Sequence, residues 1–126
     1  LQSMCDAASI PIVNGLTDLY HPCQLLADLQ TVRECLTTIE DTTVAWIGDG
    51  NNMAHSWILA AGKLGFSLRL ACPDAYSPDE GVLARGRELG ADITVTNDPA
   101  EAVRGASVVT TDVWASMGQD AEAAGP

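Results

Sequence analysis

The sequence predicts an α/β fold in which a parallel, Rossmann-like sheet carries helices on both faces. From residue 43 onward, short segments rich in β-branched residues alternate with amphipathic segments of helical length. Glycine, proline and helix-capping residues separate these segments. The resulting β-α-β-α-β-α-β order requires right-handed crossovers, and hence a parallel sheet covered by helices on each side.

Residues 1–40 are predicted to contain the end of another α/β unit, followed by a connecting helix. The segment 10–13, Ile-Pro-Ile-Val, predicts a short strand that Asn14 and Gly15 end. The helix is predicted to begin at Pro22, because the first helical turn does not need the N–H that proline lacks. Its apolar residues follow at helical spacing: Leu25, Leu26, Leu29, Val32, Leu36 and Ile39.

The main α/β unit is predicted over residues 41–118, with a tail over 119–126. Its four strands are predicted at residues 43–47, 67–72, 93–96 and 107–112. The helix between the first two strands is predicted to end at Gly65. That helix presents one apolar face, formed by Met53, Trp57, Ile58, Ala61 and Leu64.

Capping residues predict where the other two helices of this unit begin. Ser77 is the predicted N-cap of one helix, with Pro78 in its first turn and Glu80 completing a capping box. Asp98 is the predicted N-cap of a shorter helix.

The charge balance argues against several kinds of partner. Acidic residues outnumber basic residues by 17 to 6, which gives a formal net charge of −11. Nucleic-acid binding needs a basic face, and so does attachment to an anionic membrane surface, so neither partner is expected. No apolar segment approaches the roughly 20 residues of a membrane span. The acidity fits a soluble surface, a salt-adapted source or a fragment that lacks a basic part.

Cysteine and histidine usage argues against a metal site and against a disulfide scaffold. The four cysteines include no pair at CxxC spacing, and the two histidines add no zinc pattern. We therefore expect free thiols in a reducing compartment, and neither a metal ion nor another cofactor.

A glycine-containing turn follows the first strand of the main unit, at the sheet edge where such folds bind ligands. Gly48 and Gly50 would let a dinucleotide pyrophosphate approach a helix N-terminus, although the third fingerprint position is Met53. A strand–helix turn that needs small residues is the alternative. Asn51 and Asn52 add amide groups that suit the carboxylate or ammonium group of an amino acid.

His21 and Gln24 lie at the predicted start of the helix at Pro22. Together they could polarise a carbonyl oxygen and hold an amide, at a helix end that favours anions. A capping histidine beside an exposed glutamine is the structural alternative.

Asp112 ends the last predicted strand and precedes a loop that contains Ser116 and Met117. A carboxylate at this position could hold a substrate ammonium group, or it could serve only as a turn or capping acid. His55 and the three tryptophans are predicted to be structural.

Three motifs together resemble those of the carbamoyltransferases. Residues 14–18, Asn-Gly-Leu-Thr-Asp, precede residues 21–28, His-Pro-Cys-Gln-Leu-Leu-Ala-Asp. Residues 46–52, Trp-Ile-Gly-Asp-Gly-Asn-Asn, and 112–119, Asp-Val-Trp-Ala-Ser-Met-Gly-Gln, are similar to the ornithine branch of the family. The Ser-Met-Gly loop separates this branch from the aspartate carbamoyltransferases, which carry a basic segment there.

The resemblance implies two α/β domains, one for carbamoyl phosphate and one for the amino acid, usually in a homotrimer. Residues 1–40 would then end the carbamoyl-phosphate domain and include the interdomain helix. His21 would bind the carbamoyl oxygen and Gln24 the carbamoyl amide. The small-molecule partners would be carbamoyl phosphate and L-ornithine, and the enzyme would be cytoplasmic and serve arginine biosynthesis.

The same resemblance implies an ornithine site in the main unit. Asn52 and the backbone at Met117 would bind the ornithine carboxylate, and Asp112 would bind the α-ammonium group. Ser116 would belong to a mobile loop that closes over ornithine. The δ-amine would attack the carbamoyl carbon, giving citrulline and phosphate.

Two family motifs are missing, which predicts that the chain is an internal fragment and inactive alone. The phosphate-binding Ser-Thr-Arg-Thr motif would precede residue 1, and the His-Cys-Leu-Pro motif would follow residue 126. No cysteine of the chain is assigned a catalytic role. The alternatives are a carbamoyltransferase for putrescine, N-acetylornithine or aspartate, and a non-catalytic Rossmann-like nucleotide-binding module.

Overall fold

A computed structural model describes residues 1–113 of the chain. The helices are α1 (Gln2–Ala7), α2 (Pro22–Leu36), α3 (Asn52–Leu64), α4 (Glu80–Glu88) and α5 (Pro99–Val103), and a 3₁₀ turn spans Asp74–Tyr76. The strands are β1 (Thr43–Ile47), β2 (Ser67–Ala71), β3 (Ile93–Thr96) and β4 (Val108–Thr111). No helix in this part of the chain is long and apolar enough to cross a membrane.

The four strands form one sheet in the order β3-β2-β1-β4, and every pairing is parallel. Val44 in β1 pairs with Leu68 on one side and with Val108 on the other. The parallel sheet predicted from the alternation of segments is therefore confirmed. Because the strands are parallel, the loops that follow β1, β2 and β4 meet at one edge.

Helices cover both faces of the sheet, as predicted. The larger core joins one face of the sheet to α2, α3 and α4, and the buried Trp46 and Trp57 lie within it, as their structural assignment predicted. A smaller core of alanines, Ala45, Ala71 and Ala102, joins the other face to α5. The predicted apolar face of α3 is buried except for Leu64, near its C-terminus.

The strand predicted at residues 10–13 is wrong. These residues belong to no helix or strand, and the side chains of Ile10 and Val13 are 70% and 77% exposed. A strand is stable only when a neighbour satisfies its backbone hydrogen bonds. Among the described residues no strand lies beside this segment, so its β propensity has no effect.

Two helix boundaries also differ from the prediction. The N-cap of α4 is Asp79 rather than Ser77, because the Asp79 carboxylate accepts a hydrogen bond from Val82 N at 3.0 Å. Ser77 and Pro78 therefore precede the helix. Helix α2 ends at Leu36, where Thr37 takes a positive φ of 70°, so Ile39 is buried from the following turn and not from the helix.

Candidate functional site

A cleft of about 940 Å³ opens at the edge of the sheet where β1 and β4 end. One wall is the turn between β1 and α3, residues 49–52, and another is the segment 16–18 with His21. Residues 75–77 and residues 112–113 complete the lining. Its place outside the carboxyl ends of parallel strands is the one where open α/β sheets bind ligands.

The cleft brings together three of the residues predicted for the site. His21, Asn52 and Asp112 all line it, although they are far apart in the sequence. Gln24 does not line the cleft. Ser116 and Met117 lie outside the described residues.

His21 is the N-cap residue of α2, but its side chain makes no capping hydrogen bond. Its backbone N–H donates to Ser56 Oγ at 2.8 Å. Its ring Nδ1 is buried without a hydrogen-bond partner among the described residues. The alternative of a capping histidine is therefore wrong.

Gln24 lies on the exposed side of α2, where its Nε2 donates to Asp28 Oδ1 at 2.9 Å. This contact links two residues one helical turn apart on the same surface. The structure therefore does not bring Gln24 to the cleft with His21.

The two asparagines at the start of α3 have different partners. Asn51 caps the helix, with its Oδ1 accepting from Met53 N at 2.9 Å and from Ala54 N at 3.1 Å. Asn52 donates one side-chain N–H to Thr17 O at 3.1 Å. Since an amide nitrogen carries two N–H groups, Asn52 keeps a second donor for a ligand.

The Asp112 carboxylate is held from two sides. Its Oδ1 accepts from Val113 N at 2.7 Å, and its Oδ2 accepts from Asn51 Nδ2 at 2.9 Å. The bond to Val113, the next residue, is typical of an acidic residue in a turn. The bond to Asn51 holds the carboxylate beside the start of α3. Sequence reasoning missed this link, because it joins a helix cap to the end of a strand 61 residues away.

The cleft is electrically negative. Asp18, Asp49 and Asp112 line it, and no lysine or arginine does so within residues 1–113. Such a surface attracts cationic groups and repels phosphate.

Gly50 is needed for internal packing and not for a pyrophosphate. A Cβ at this position would lie 2.2 Å from Pro78 N and 2.5 Å from Pro78 Cα, and Gly50 N donates to Tyr76 O at 2.6 Å. The loop after β2 therefore packs directly against the turn at Gly50. The structure favours the strand–helix turn that needs small residues over the dinucleotide interpretation.

His55 has the structural role predicted for it. The ring is buried, with Nδ1–H donating to Leu19 O at 3.0 Å and Nε2 accepting from Asp79 N at 3.0 Å. The two bonds together require the neutral tautomer that carries its proton on Nδ1. Within residues 1–113, no group of three histidine, cysteine or acidic side chains is arranged to hold a metal ion.

Comparison with known proteins relates both parts of the chain to one family. Residues 40–125 match the family model "Aspartate/ornithine carbamoyltransferase, Asp/Orn binding domain". Residues 1–34 match the model of the carbamoyl-P binding domain of the same family.

Curated relatives and solved structures agree with these matches. The ornithine carbamoyltransferase of Syntrophotalea carbinolica is 56% identical over 124 residues, which cover 98% of this chain and 41% of that protein. The protein of the same name from Chromohalobacter salexigens is 51% identical, over 98% of this chain and 40% of its own length. The structure of ornithine carbamoyltransferase from Pyrococcus furiosus has a TM-score of 0.87 at 45% identity, and the match covers 98% of this chain and 41% of that one. The chain thus spans about 40% of the length of the curated relatives it matches.

Proposed function

The chain belongs to the aspartate/ornithine carbamoyltransferase family, and on that premise we propose that the protein transfers a carbamoyl group from carbamoyl phosphate to the δ-amine of L-ornithine. The products are L-citrulline and phosphate. The observation that carries the proposal is the meeting of His21, Asn52 and Asp112 in one acidic cleft.

The proposal assigns the ornithine end of the reaction to the wall formed by α3 and the end of β4. Asp112 binds the α-ammonium group, and its orientation by Asn51 supports this role. The free N–H of Asn52 binds the α-carboxylate, together with the backbone at Met117. Ser116 belongs to the loop that covers ornithine.

The carbamoyl end of the reaction is assigned to the start of α2. His21 donates to the carbamoyl oxygen, and its position in the lining of the cleft supports this assignment. Gln24 binds the carbamoyl amide, for which it must first leave Asp28. The δ-nitrogen forms a bond to the carbamoyl carbon, the carbonyl oxygen gains negative charge, and His21 stabilises that charge. The bond from carbon to the phosphate oxygen then breaks, and the nitrogen loses a proton.

The charge of the cleft supports ornithine over the other amines. Aspartate brings a second carboxylate toward three acidic side chains, which is unfavourable. Putrescine has no carboxylate for Asn52, and N-acetylornithine has no α-ammonium group for Asp112. A nucleotide-binding module is disfavoured because Gly50 already packs against Pro78.

The proposal extends to the organisation of the protein. Residues 1–40 end the carbamoyl-phosphate domain, residues 41–118 form an incomplete ornithine domain and residues 119–126 form a tail. The family-model matches over residues 1–34 and 40–125 support the division near residue 40. By family resemblance we also propose a homotrimer, a cytoplasmic location and a place in arginine biosynthesis.

Citrulline formation tests the function directly. The protein as its gene encodes it is supplied with carbamoyl phosphate and, in parallel reactions, with ornithine, putrescine, N-acetylornithine or aspartate. We expect ornithine to give the highest kcat/KM. A higher value with any other amine, or no carbamoylated product with ornithine, contradicts the proposal.

A further inference from the structure

One face of α3 holds the segment that leads into His21. Asn52 Nδ2 donates to Thr17 O at 3.1 Å, and His55 Nδ1 donates to Leu19 O at 3.0 Å. Ser56 Oγ accepts from His21 N at 2.8 Å. Positions 52, 55 and 56 lie on one face of a helix, so the three contacts form a continuous row.

All three contacts use backbone atoms of the segment. They therefore fix the path of the chain from Thr17 to His21 without depending on its side chains. His55 and Ser56 are only 7% and 3% exposed, so water does not compete for these bonds. The row joins the part of the chain that matches the carbamoyl-P domain to the part that matches the Asp/Orn domain.

Ser56 makes the contact nearest to the proposed chemistry. Its hydroxyl donates to Asn52 O at 2.8 Å, which leaves its oxygen lone pairs available to His21 N. The amide plane of His21 sets the direction in which its side chain leaves the backbone. Because the ring itself makes no capping bond and its Nδ1 has no partner among the described residues, the described contacts fix His21 through its backbone.

We propose that Ser56 is a positioning residue that aims the His21 ring into the cleft through the hydrogen bond to His21 N. The inference rests on the proposed function, because it assigns Ser56 an effect on carbamoyl transfer through His21. A shift of about 1 Å in a group that touches the reacting atoms can lower a rate by roughly a hundredfold. Loss of the Ser56 hydroxyl is therefore expected to lower kcat, whereas ornithine binding by Asp112 does not depend on it.

A double-mutant cycle in the protein as its gene encodes it tests the inference. Ser56→Ala, His21→Ala and the double variant are compared with the unchanged protein for kcat and for the KM of ornithine. We expect Ser56→Ala to lower kcat by roughly tenfold to a hundredfold, with the KM of ornithine changed by less than about twofold. In the His21→Ala background, Ser56→Ala should have no further effect on kcat.

Ser67→Ala is the matched control. The Ser67 hydroxyl donates to Asp92 Oδ2 at 2.8 Å, and neither residue lines the cleft. We expect it to leave kcat unchanged in both backgrounds. Thermal unfolding of each variant sets an assay temperature at which all variants are folded.

The outcomes separate the inference from the function on which it rests. If Ser56→Ala lowers kcat by the same factor with and without His21, or does not lower it at all, Ser56 does not position His21. If the unchanged protein forms no citrulline from ornithine, the proposed function fails and the inference falls with it.

Discussion

Neighbouring groups hold the Asp112 side chain in one orientation at the cleft. Its two carboxylate oxygens accept from Val113 N and Asn51 Nδ2, so neither oxygen rotates freely. The carboxylate is half-buried at the cleft, and no lysine or arginine among residues 1–113 lines that cleft to neutralise it. A held, unneutralised carboxylate is well suited to bind an ammonium group.

Asp112→Asn is expected to weaken ornithine binding strongly and carbamoyl phosphate binding little. The substitution keeps the shape of the side chain but removes a charge-assisted hydrogen bond worth roughly 1.5–3 kcal/mol, or about ten- to a hundredfold in Kd. Titration calorimetry of each ligand with the protein as its gene encodes it measures the effect. Asp92→Asn is the control, because it also removes one negative charge but at a residue that does not line the cleft. Equal losses for both ligands would show damage to the fold instead.

Cys72, which follows β2, is expected to be chemically inert. Burial and, to a smaller extent, the nearby Asp49 carboxylate together raise the pKa of its thiol to about 11. Iodoacetamide at about pH 8 should therefore alkylate the exposed Cys5, Cys23 and Cys35 and spare Cys72 until denaturant is added, as read by peptide mass spectrometry. Labelling of Cys72 in native buffer at the rate of the other three would contradict this expectation.

The raised pKa also predicts a pH dependence of stability. The folded chain holds the Cys72 proton more tightly than the unfolded chain does. The contribution of Cys72 to the free energy of unfolding is therefore complete below about pH 9 and is lost as pH rises through about 11.

The sequence predicts the location of single residues better than their hydrogen-bond partners. His21, Asn52 and Asp112 could be selected because each lies at the end of a predicted element, and the structure places all three at the cleft. The bond between Asn51 and Asp112 could not be predicted, because it depends on the pairing of β1 with β4. Gln24 shows the opposite outcome, since its helical register turns it to the exposed surface.

At the scale of elements, α3 and α4 meet through glycines. A Cβ on Gly86 would lie 2.5 Å from Ile58 Cγ2 and 3.0 Å from Ile93 Cδ1, and a Cβ on Gly62 would lie 2.6 Å from Leu89 Cβ. The close approach of the two helices therefore requires small residues at both positions. It also keeps α4 packed against the larger core. Residues 75–77, which line the cleft, precede this helix.

Gly86→Ala is expected to lower the free energy of unfolding by roughly 1–3 kcal/mol, since the new methyl group overpacks the contact with Ile58. Gly81→Ala in the same helix is the matched control. Its Cβ would meet only the Asp79 carboxylate, at 3.0 Å, which need shift by no more than a few tenths of an ångström, so the free energy of unfolding should change less than for Gly86→Ala. Urea unfolding measures both variants, and equal effects would contradict the packing argument.

Element prediction succeeded where tertiary packing agrees with local pattern. The strands at residues 43–47 and 93–96 have their predicted limits, because β-branched residues there meet neighbouring strands. The segment 10–13 has similar residues but no described neighbour. At α4, the Asp79 carboxylate caps in place of Ser77, whose hydroxyl instead donates to Asp74 O at 3.2 Å.

At the scale of the whole molecule, the basic residues lie away from the acidic cleft, and one of them, Arg85, pairs with Glu88 elsewhere on the surface. The cleft is lined by three aspartates, while all six basic residues lie away from it: Arg33, Lys63, Arg69, Arg85, Arg87 and Arg104. Arg69, for example, donates to Arg104 O at 2.6 Å, on the face of the sheet that carries the smaller alanine core. Within residues 1–113, the cleft therefore has no cation that could hold the phosphate of carbamoyl phosphate.

The 126-residue chain by itself is therefore expected to form no citrulline. Transfer requires the leaving phosphate to be held and its charge neutralised, usually by positioned cationic groups. The N-terminus of α2 could attract an anion, but an exposed helix end contributes only about 0.3–1 kcal/mol. Enzymatic rate enhancement requires roughly 8 kcal/mol or more. The measurement is citrulline formation by the purified chain with both substrates in excess, after circular dichroism has shown that it is folded. A rate clearly above background would mean that the phosphate site lies within these residues and that the proposed division of the domains is wrong.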